Sequence, residues 1–137
     1  MDASLSTEEF MMGKGRILVI DDENIVRNVA QRMLRKLEYE CEVVNDGNSA
    51  IAAYAKAAQS QKPYDVVIID LKLTGSLDGS QTFKKLEALN PQIKAIVSSG
   101  YTFDPVIINY HKHGFQGVVK KPYRIDDLAA TLSEIIS

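Results

Sequence analysis

The chain has 137 residues, enough for one domain with a substantial core. A composition of 45% hydrophobic and 25% charged residues is that of an ordinary soluble globular protein, and a net charge of −2 gives no electrostatic footprint for direct contact with nucleic acid or an anionic membrane. No apolar run reaches the length of a membrane span, and the amino terminus lacks an apolar signal core. Cys41 is the single cysteine, which excludes an internal disulfide and fits a cytoplasmic location.

Residues 1–15 carry no sustained periodicity and read as a flexible leader or linker. Gly13-Lys14-Gly15 is too short for a phosphate loop and precedes a strand where such a loop follows one. From Arg16 to Ser137 strand and helix alternate five times. Arg16 to Ile20 is an apolar β-forming run that ends in Asp21-Asp22. A helix follows from about Glu23 to Leu37, with Ile25, Val29, Met33 and Leu37 as its apolar stripe. Cys41 to Val44 is a short strand, and Asn45 to Asn48 make a turn and cap. Alanine-rich Ile51 to Gln59 is the second helix, and Pro63 separates it from the third strand, Asp65 to Ile69, which leads into Asp70. The third helix, Ser80 to Leu89, stops before Pro91. Ile93 to Ser98 is the fourth strand. Asp104 and Pro105 open a fourth helix that Gly114 closes. Gly117 to Lys121 is the fifth strand, and Ile125, Leu128, Leu132 and Ile136 stripe the last helix.

Runs of consecutive apolar residues mark strands covered on both faces, and strict βα alternation implies a doubly wound parallel sheet between two helical layers. In such a fold ligands sit outside the carboxyl ends of the strands. Those ends carry Asp21, Asp22, Asp70, Ser98 and Lys121. Close carboxylates repel by about 4 kcal/mol per pair at an effective dielectric near 20, so a hard cation such as Mg²⁺ is the expected compensation. A carboxylate can attack phosphorus, a metal and an ammonium neutralise the developing charge, and a hydroxyl can hydrogen-bond the new phosphoryl oxygens. Singly, each residue has a plain structural use: the acids cap helices or turns, and the lysine is solvated. Together they form a complete set for reversible phosphorylation of an aspartate.

Ile17-Leu18-Val19-Ile20-Asp21-Asp22-Glu23, Val67-Ile68-Ile69-Asp70, Val97-Ser98-Ser99-Gly100 and Lys121-Pro122 resemble the motifs of two-component response regulator receiver domains. The resemblance covers residues 16–137. It implies a flavodoxin-like (βα)5 three-layer sandwich with the strand order 2-1-3-4-5 that the chemotaxis receiver also has. It implies Asp70 as phosphoacceptor, Asp22 as a direct Mg²⁺ ligand assisted by Asp21, and the main-chain carbonyl of Lys72 as a further ligand. Ser98 becomes the switch hydroxyl and Lys121 the phosphoryl contact, with a cis bond to Pro122. Lys120 competes on sequence alone; strand alternation puts the two lysines on opposite faces, and the adjacent proline favours Lys121. The implied partner is a sensor histidine kinase or a phosphotransfer domain, and a homodimer through the fourth helix, fifth strand and fifth helix is admitted. Ser98-Ser99-Gly100-Tyr101 is similar to receivers attached to sensor kinases, so both an excised hybrid-kinase domain and a stand-alone regulator stay open.

Departures from the family pattern stand out. Thr74 replaces a common proline, and Gly75-Ser76 lengthen the loop before Asp78-Gly79. Val118 stands where many receivers carry a rotating aromatic, and its χ1 is stiff. Lys72 occupies the place where the family tunes dephosphorylation. His111 and His113 suit the end of the fourth helix through its dipole, while Tyr101, Phe103 and Tyr110 are candidates either for a partner surface or for packing. Two other classes are a flavodoxin-like cofactor binder and a haloacid-dehalogenase-type phosphotransferase. The first wants a Ser/Thr/Gly-rich loop after strand one, and the second an Asp-x-Asp signature. Neither matches Asp21-Asp22-Glu23.

Overall fold

Ile17, Leu18, Val19 and Ile20 are all wholly buried, as a strand covered on both faces requires. The computed structural model describes residues 14–100 and 103–136. In it β1 (Arg16–Ile20), β2 (Glu40–Val44), β3 (Val66–Asp70), β4 (Ala95–Ser99) and β5 (Gly117–Lys120) form a parallel sheet in the order β2-β1-β3-β4-β5. The helices are α1 (Asn24–Lys36), α2 (Gly47–Gln59), α3 (Gly79–Leu89), α4 (Pro105–Ile108) and α5 (Ile125–Ile136), with a 3-10 turn over Tyr110–His113. This is the doubly wound sandwich and strand order expected of the sequence.

Alternation along the strands divides the core in two. Ile17, Val19, Val66, Ile68, Ile96 and Val119 pack with Ala30 and Leu34 of α1 and Leu128 and Leu132 of α5. Leu18, Ile20, Val67, Ile69, Ala95 and Val97 pack on the other face with Ala50 and Tyr54 of α2, Phe83 and Leu86 of α3, and Ile107 of α4. Each buried Val, Leu, Ile or Phe among them contributes roughly 1.5–3 kcal/mol by leaving water.

Three local readings need correction. The buried stripe of α1 is Ala30 and Leu34 with partly buried Val26, Met33 and Leu37, whereas Ile25 is 76% and Val29 37% exposed. The helix therefore sits about one residue around from the expected face. Helix α2 begins at Gly47, because the Asp46 carboxylate accepts the Ser49 N–H at 2.7 Å and caps it there. The fourth helix is short: Asp104 caps it and Pro105 opens it as expected, but the backbone tightens into the 3-10 turn after Ile108. Gly114 ends that turn at φ +93°, and a Cβ there would also lie 2.9 Å from the Phe83 ring.

Cys41 is buried in the sheet, as its strand position suggested. Burial pushes its thiol up to about 12, with Arg35 opposing and Glu42 adding to the shift. The thiolate is the nucleophile, so iodoacetamide at pH 8 is expected to alkylate the native chain about a thousandfold more slowly than the urea-unfolded chain. Mass spectrometry of timed aliquots checks this, and equal rates would contradict the placement of Cys41.

Candidate phosphoacceptor site

Parity along the strands assembles the site. Residues 17, 19 and 21 share a face on β1, as do 66, 68 and 70 on β3, 96 and 98 on β4, and 119 and 121 at β5. Asp21, Asp70, Ser98 and Lys121 thus all lean toward the α1 and α5 layer at the carboxyl edge. Asp70 lies opposite Ser98 in the ladder. Lys120, of the other parity, is exposed. Asp22 is half-buried beside them, and carboxylate oxygens of Asp21, Asp22 and Asp70 lie within 4.8 Å of one another. The acids expected to share a site do share one.

Lys121 is the hub of the cluster. Its Nζ lies 3.2 Å from Asp70 Oδ2, 3.1 Å from Asp21 Oδ2 and 3.6 Å from Glu23 Oε1. The bond from Lys121 to Pro122 is cis, as expected. The Lys72 N–H donates to Asp70 Oδ1 at 3.1 Å, and the Glu23 N–H donates to Asp21 Oδ1 at 2.9 Å. Burial and then the Asp21 charge push the Asp70 carboxyl above the usual carboxylate range, against the pull of Lys121 and the Lys72 N–H. Burial works to lower the Lys121 ammonium, but its bonds to Asp21 and the charges of Asp70 and Asp21 override this and raise it. The Lys121 ammonium is shared by three carboxylates, Asp21, Glu23 and Asp70, with the Asp22 carboxylate beside them. Three clustered carboxylates are hard oxygen donors of the kind Mg²⁺ takes, and the residues present fit that ion. An open cleft of ≈ 660 Å³ above them is lined by Asp22, Glu23, Asp70, Lys72, Thr74 and Lys121.

The departures from the family pattern have structural answers. Thr74 donates its N–H to Asp22 Oδ2 at 3.2 Å and its hydroxyl to the same oxygen. A proline could not make the first of these bonds. The longer loop places Gly75 at φ +102° and is closed by a capping box, in which the Asp78 N–H donates to Gln81 Oε1 at 2.9 Å and the Gln81 N–H to Asp78 Oδ1 at 2.8 Å. The Lys72 ammonium pairs with Asp104 Oδ2 at 3.3 Å, joining the loop after β3 to the start of α4. Val118 is half-buried on the α2, α3 and α4 face. His111 and His113 are exposed in the 3-10 turn. Tyr110 packs on the core, and Phe103 is 88% exposed. Tyr101 and most of residues 1–15 lie outside the described residues.

One participant was missed by the sequence reading. The Tyr123 hydroxyl lies 2.8 Å from Ser98 Oγ, and both groups are buried. The only signal available was its place beside Lys121-Pro122 at the carboxyl edge.

Comparison with known proteins shows the family to which the chain belongs. A family profile described as the response regulator receiver domain matches residues 17–133. The chain is 28% identical over 121 residues to the transcriptional regulatory protein ZraR of Escherichia coli O157:H7, covering 88% of this chain and 26% of that protein. It is 26% identical over 126 residues to the DNA-binding transcriptional regulator NtrC of Salmonella typhimurium, covering 92% of this chain and again 26% of that protein. The chain thus spans about a quarter of the length of these curated relatives. Among solved structures, it superposes with a TM-score of 0.76 and 23% identity on the receiver domain of a sensor histidine kinase from Pseudomonas aeruginosa PAO1, covering 89% of this chain and 97% of that one. That receiver has a magnesium ion coordinated in its active site cleft. Neither the flavodoxin-like cofactor binder nor the haloacid-dehalogenase-type phosphotransferase finds support in these matches. A profile match of that extent, on a sheet of this strand order, makes the chain a member of the response regulator receiver domain family, the phosphoacceptor switches of two-component signalling.

Proposed function

We propose that Asp70 accepts a phosphoryl group from a phosphohistidine of a histidine kinase or phosphotransfer domain and that the acyl phosphate biases a conformational switch. The observation that carries this reading is the convergence of Asp21, Asp22, Asp70 and Lys121 around one open cleft. A carboxylate oxygen of Asp70 attacks phosphorus, the new P–O bond forms as the P–N bond breaks, and the electron pair leaves with the imidazole. Lys121 is already within contact distance of the attacking carboxylate and shields its charge from the incoming phosphoryl oxygens. The Lys72 N–H fixes the rotation of the Asp70 carboxylate.

Mg²⁺ would be held by Asp22 and Asp70, by Asp21 through water and by the Lys72 main-chain carbonyl, and it supplies neutralisation of charge on the transferring group. Ser98 would hydrogen-bond the phosphoryl group once it is in place. Moving such a switch from mostly off to mostly on needs about 5.5 kcal/mol of differential interaction. The chain is a switch that assists its own phosphorylation and not a metabolic enzyme. In this reading it works in the cytoplasm and makes no direct nucleic-acid contact, in keeping with its net charge of −2. Exposed Phe103 and Ile108 support self-association through α4, β5 and α5.

Incubation with Mg²⁺ and a small phosphodonor such as acetyl phosphate is expected to add one phosphoryl group at Asp70. Mass spectrometry locates it, and a sizing column run on the same sample reads self-association. Unchanged mass, or equal labelling of Asp70→Asn, would refute the assignment.

A further inference from the structure

The Ser98 hydroxyl already has a partner in the unphosphorylated chain. Its Oγ is 2.8 Å from Tyr123 Oη, in a buried setting. Tyr123 is held rigidly: it is 7% exposed and belongs to the cluster that includes Ile96, Val119, Leu128 and Leu132. It follows Lys121 by two residues, across the cis bond to Pro122. The pair therefore connects the segment between β5 and α5 to the strand position opposite Asp70. Val118, where an aromatic would otherwise be expected, faces the other core.

We infer that Tyr123 is the positioning residue for the Ser98 hydroxyl, holding it oriented for a phosphoryl group on Asp70; this rests on the function proposed above. A serine hydroxyl has one proton and two lone pairs. A phenol is the better donor of the two hydroxyls, so the Tyr123 proton goes to Ser98 Oγ. The Ser98 proton is then left to donate to a phosphoryl oxygen, and the two bonds run in one direction and reinforce each other. Burial, with the charges of Asp21 and Asp70 adding to it against the Ser98 bond, pushes the Tyr123 hydroxyl upward, so it keeps its proton throughout the physiological range. The arrangement assigns the aromatic partner of the switch hydroxyl to the segment after β5, and it ties the state of Ser98 to the start of α5.

The test is calorimetric titration of the full chain with beryllofluoride, a phosphoryl mimic, in saturating Mg²⁺. Tyr123→Phe keeps the ring and its packing and removes only the hydroxyl. It is expected to weaken beryllofluoride binding about fivefold to tenfold, the range for one lost buried hydrogen bond, with Mg²⁺ affinity changed less than about twofold. In Ser98→Ala the same Tyr123→Phe change is expected to have no further effect, because its route is gone. In Ser98→Thr, which keeps the hydroxyl, the effect of Tyr123→Phe is expected to return. Unchanged or tighter binding by Tyr123→Phe would overturn the inference. So would an equal loss in the Ser98→Ala background, which would make Tyr123 a packing residue only. Beryllofluoride binding by Asp70→Asn as tight as by the unsubstituted chain would instead overturn the phosphoacceptor assignment, and the two failures are told apart by that control.

Discussion

Asp70→Asn is expected to melt above the unsubstituted chain in EDTA and to lose that lead in magnesium. The Asp70 carboxylate is 2% exposed and shares its surroundings with Asp21, so its charge is held at a cost. Asparagine has the same shape and can still accept the Lys72 N–H. Lys121 is not orphaned by the change, because Asp21 and Glu23 remain at 3.1 and 3.6 Å. The gain is about 1–2 kcal/mol, in the range of single stabilising substitutions, or roughly 5 °C for a chain of this size.

The sign of the pH dependence follows from the same site. Burial raises the Asp70 carboxyl in the folded state above its unfolded value, so the folded state binds more protons. Stability is then fully present below the unfolded value, near 3.9, and is lost as pH rises through the folded one. The lead of Asp70→Asn should therefore be absent at low pH and widen toward neutrality. On the proposed metal site magnesium is expected to reverse the ranking, because an ion that binds the folded state adds about 2.7 kcal/mol at a hundredfold excess over Kd, and the asparagine variant would lack one charged ligand. Differential scanning calorimetry with EDTA or Mg²⁺ at several pH values checks both statements. A lower melting temperature for Asp70→Asn in EDTA would show that its carboxylate stabilises the fold, contrary to the electrostatics argued here.

Most of the site was legible because strand geometry converts sequence parity into position. An apolar run fixes a strand, and a period of two separates Lys120 from Lys121 onto opposite faces, so the adjacent Pro122 could decide for Lys121 without coordinates. The same rule brought Asp21, Asp70 and Ser98 to one side of the sheet edge. Helix α1 was less legible for a specific reason. Met33 and Leu37 belong to two overlapping apolar rows, one running through Ile25 and Val29 and the other through Val26 and Ala30. The rows differ by one residue, about 100° around the axis, and Ala30 carries too small a side chain to mark its row on hydrophobicity alone. Burial of Ala30 and Leu34 selects the second row. The Ser98–Tyr123 bond and the two donations from Thr74 to Asp22 join residues 25 and 52 apart. No local pattern encodes such pairings, since each depends on where separate loops come to rest on the sheet edge.

Gly79→Ala is expected to be strongly destabilising. Gly79 is the first residue of α3, where alanine would ordinarily favour the helix. Here a Cβ would lie 2.4 Å from the Asp70 carbonyl oxygen, 2.9 Å from Leu71 Cα and 3.0 Å from the Leu71 carbonyl oxygen. These are backbone atoms at the end of a central strand, and no side-chain rotation can relieve the contact. Asp70 is held in the ladder opposite Ser98, and the Leu71 N–H donates to the Ser98 carbonyl at 2.9 Å. The helix start is held as well, by the reciprocal bonds of Asp78 and Gln81. Either α3 moves off the strand end or the Asp70–Leu71 peptide tilts, and the loss is about 3 kcal/mol, at the upper end for overpacking. The second response also turns the Asp70 carboxylate away from Lys121, Asp21 and Asp22, so on the proposed metal site Mg²⁺ affinity should fall together with stability. Gly100→Ala is the matched control, since among the described residues nothing lies within 4 Å of its added Cβ, and it should change stability by less than about 0.5 kcal/mol. Urea midpoints and Mg²⁺ titrations of the two variants provide the check. A Gly79→Ala chain as stable as the Gly100→Ala control would mean that α3 does not rest on the end of β3 as described.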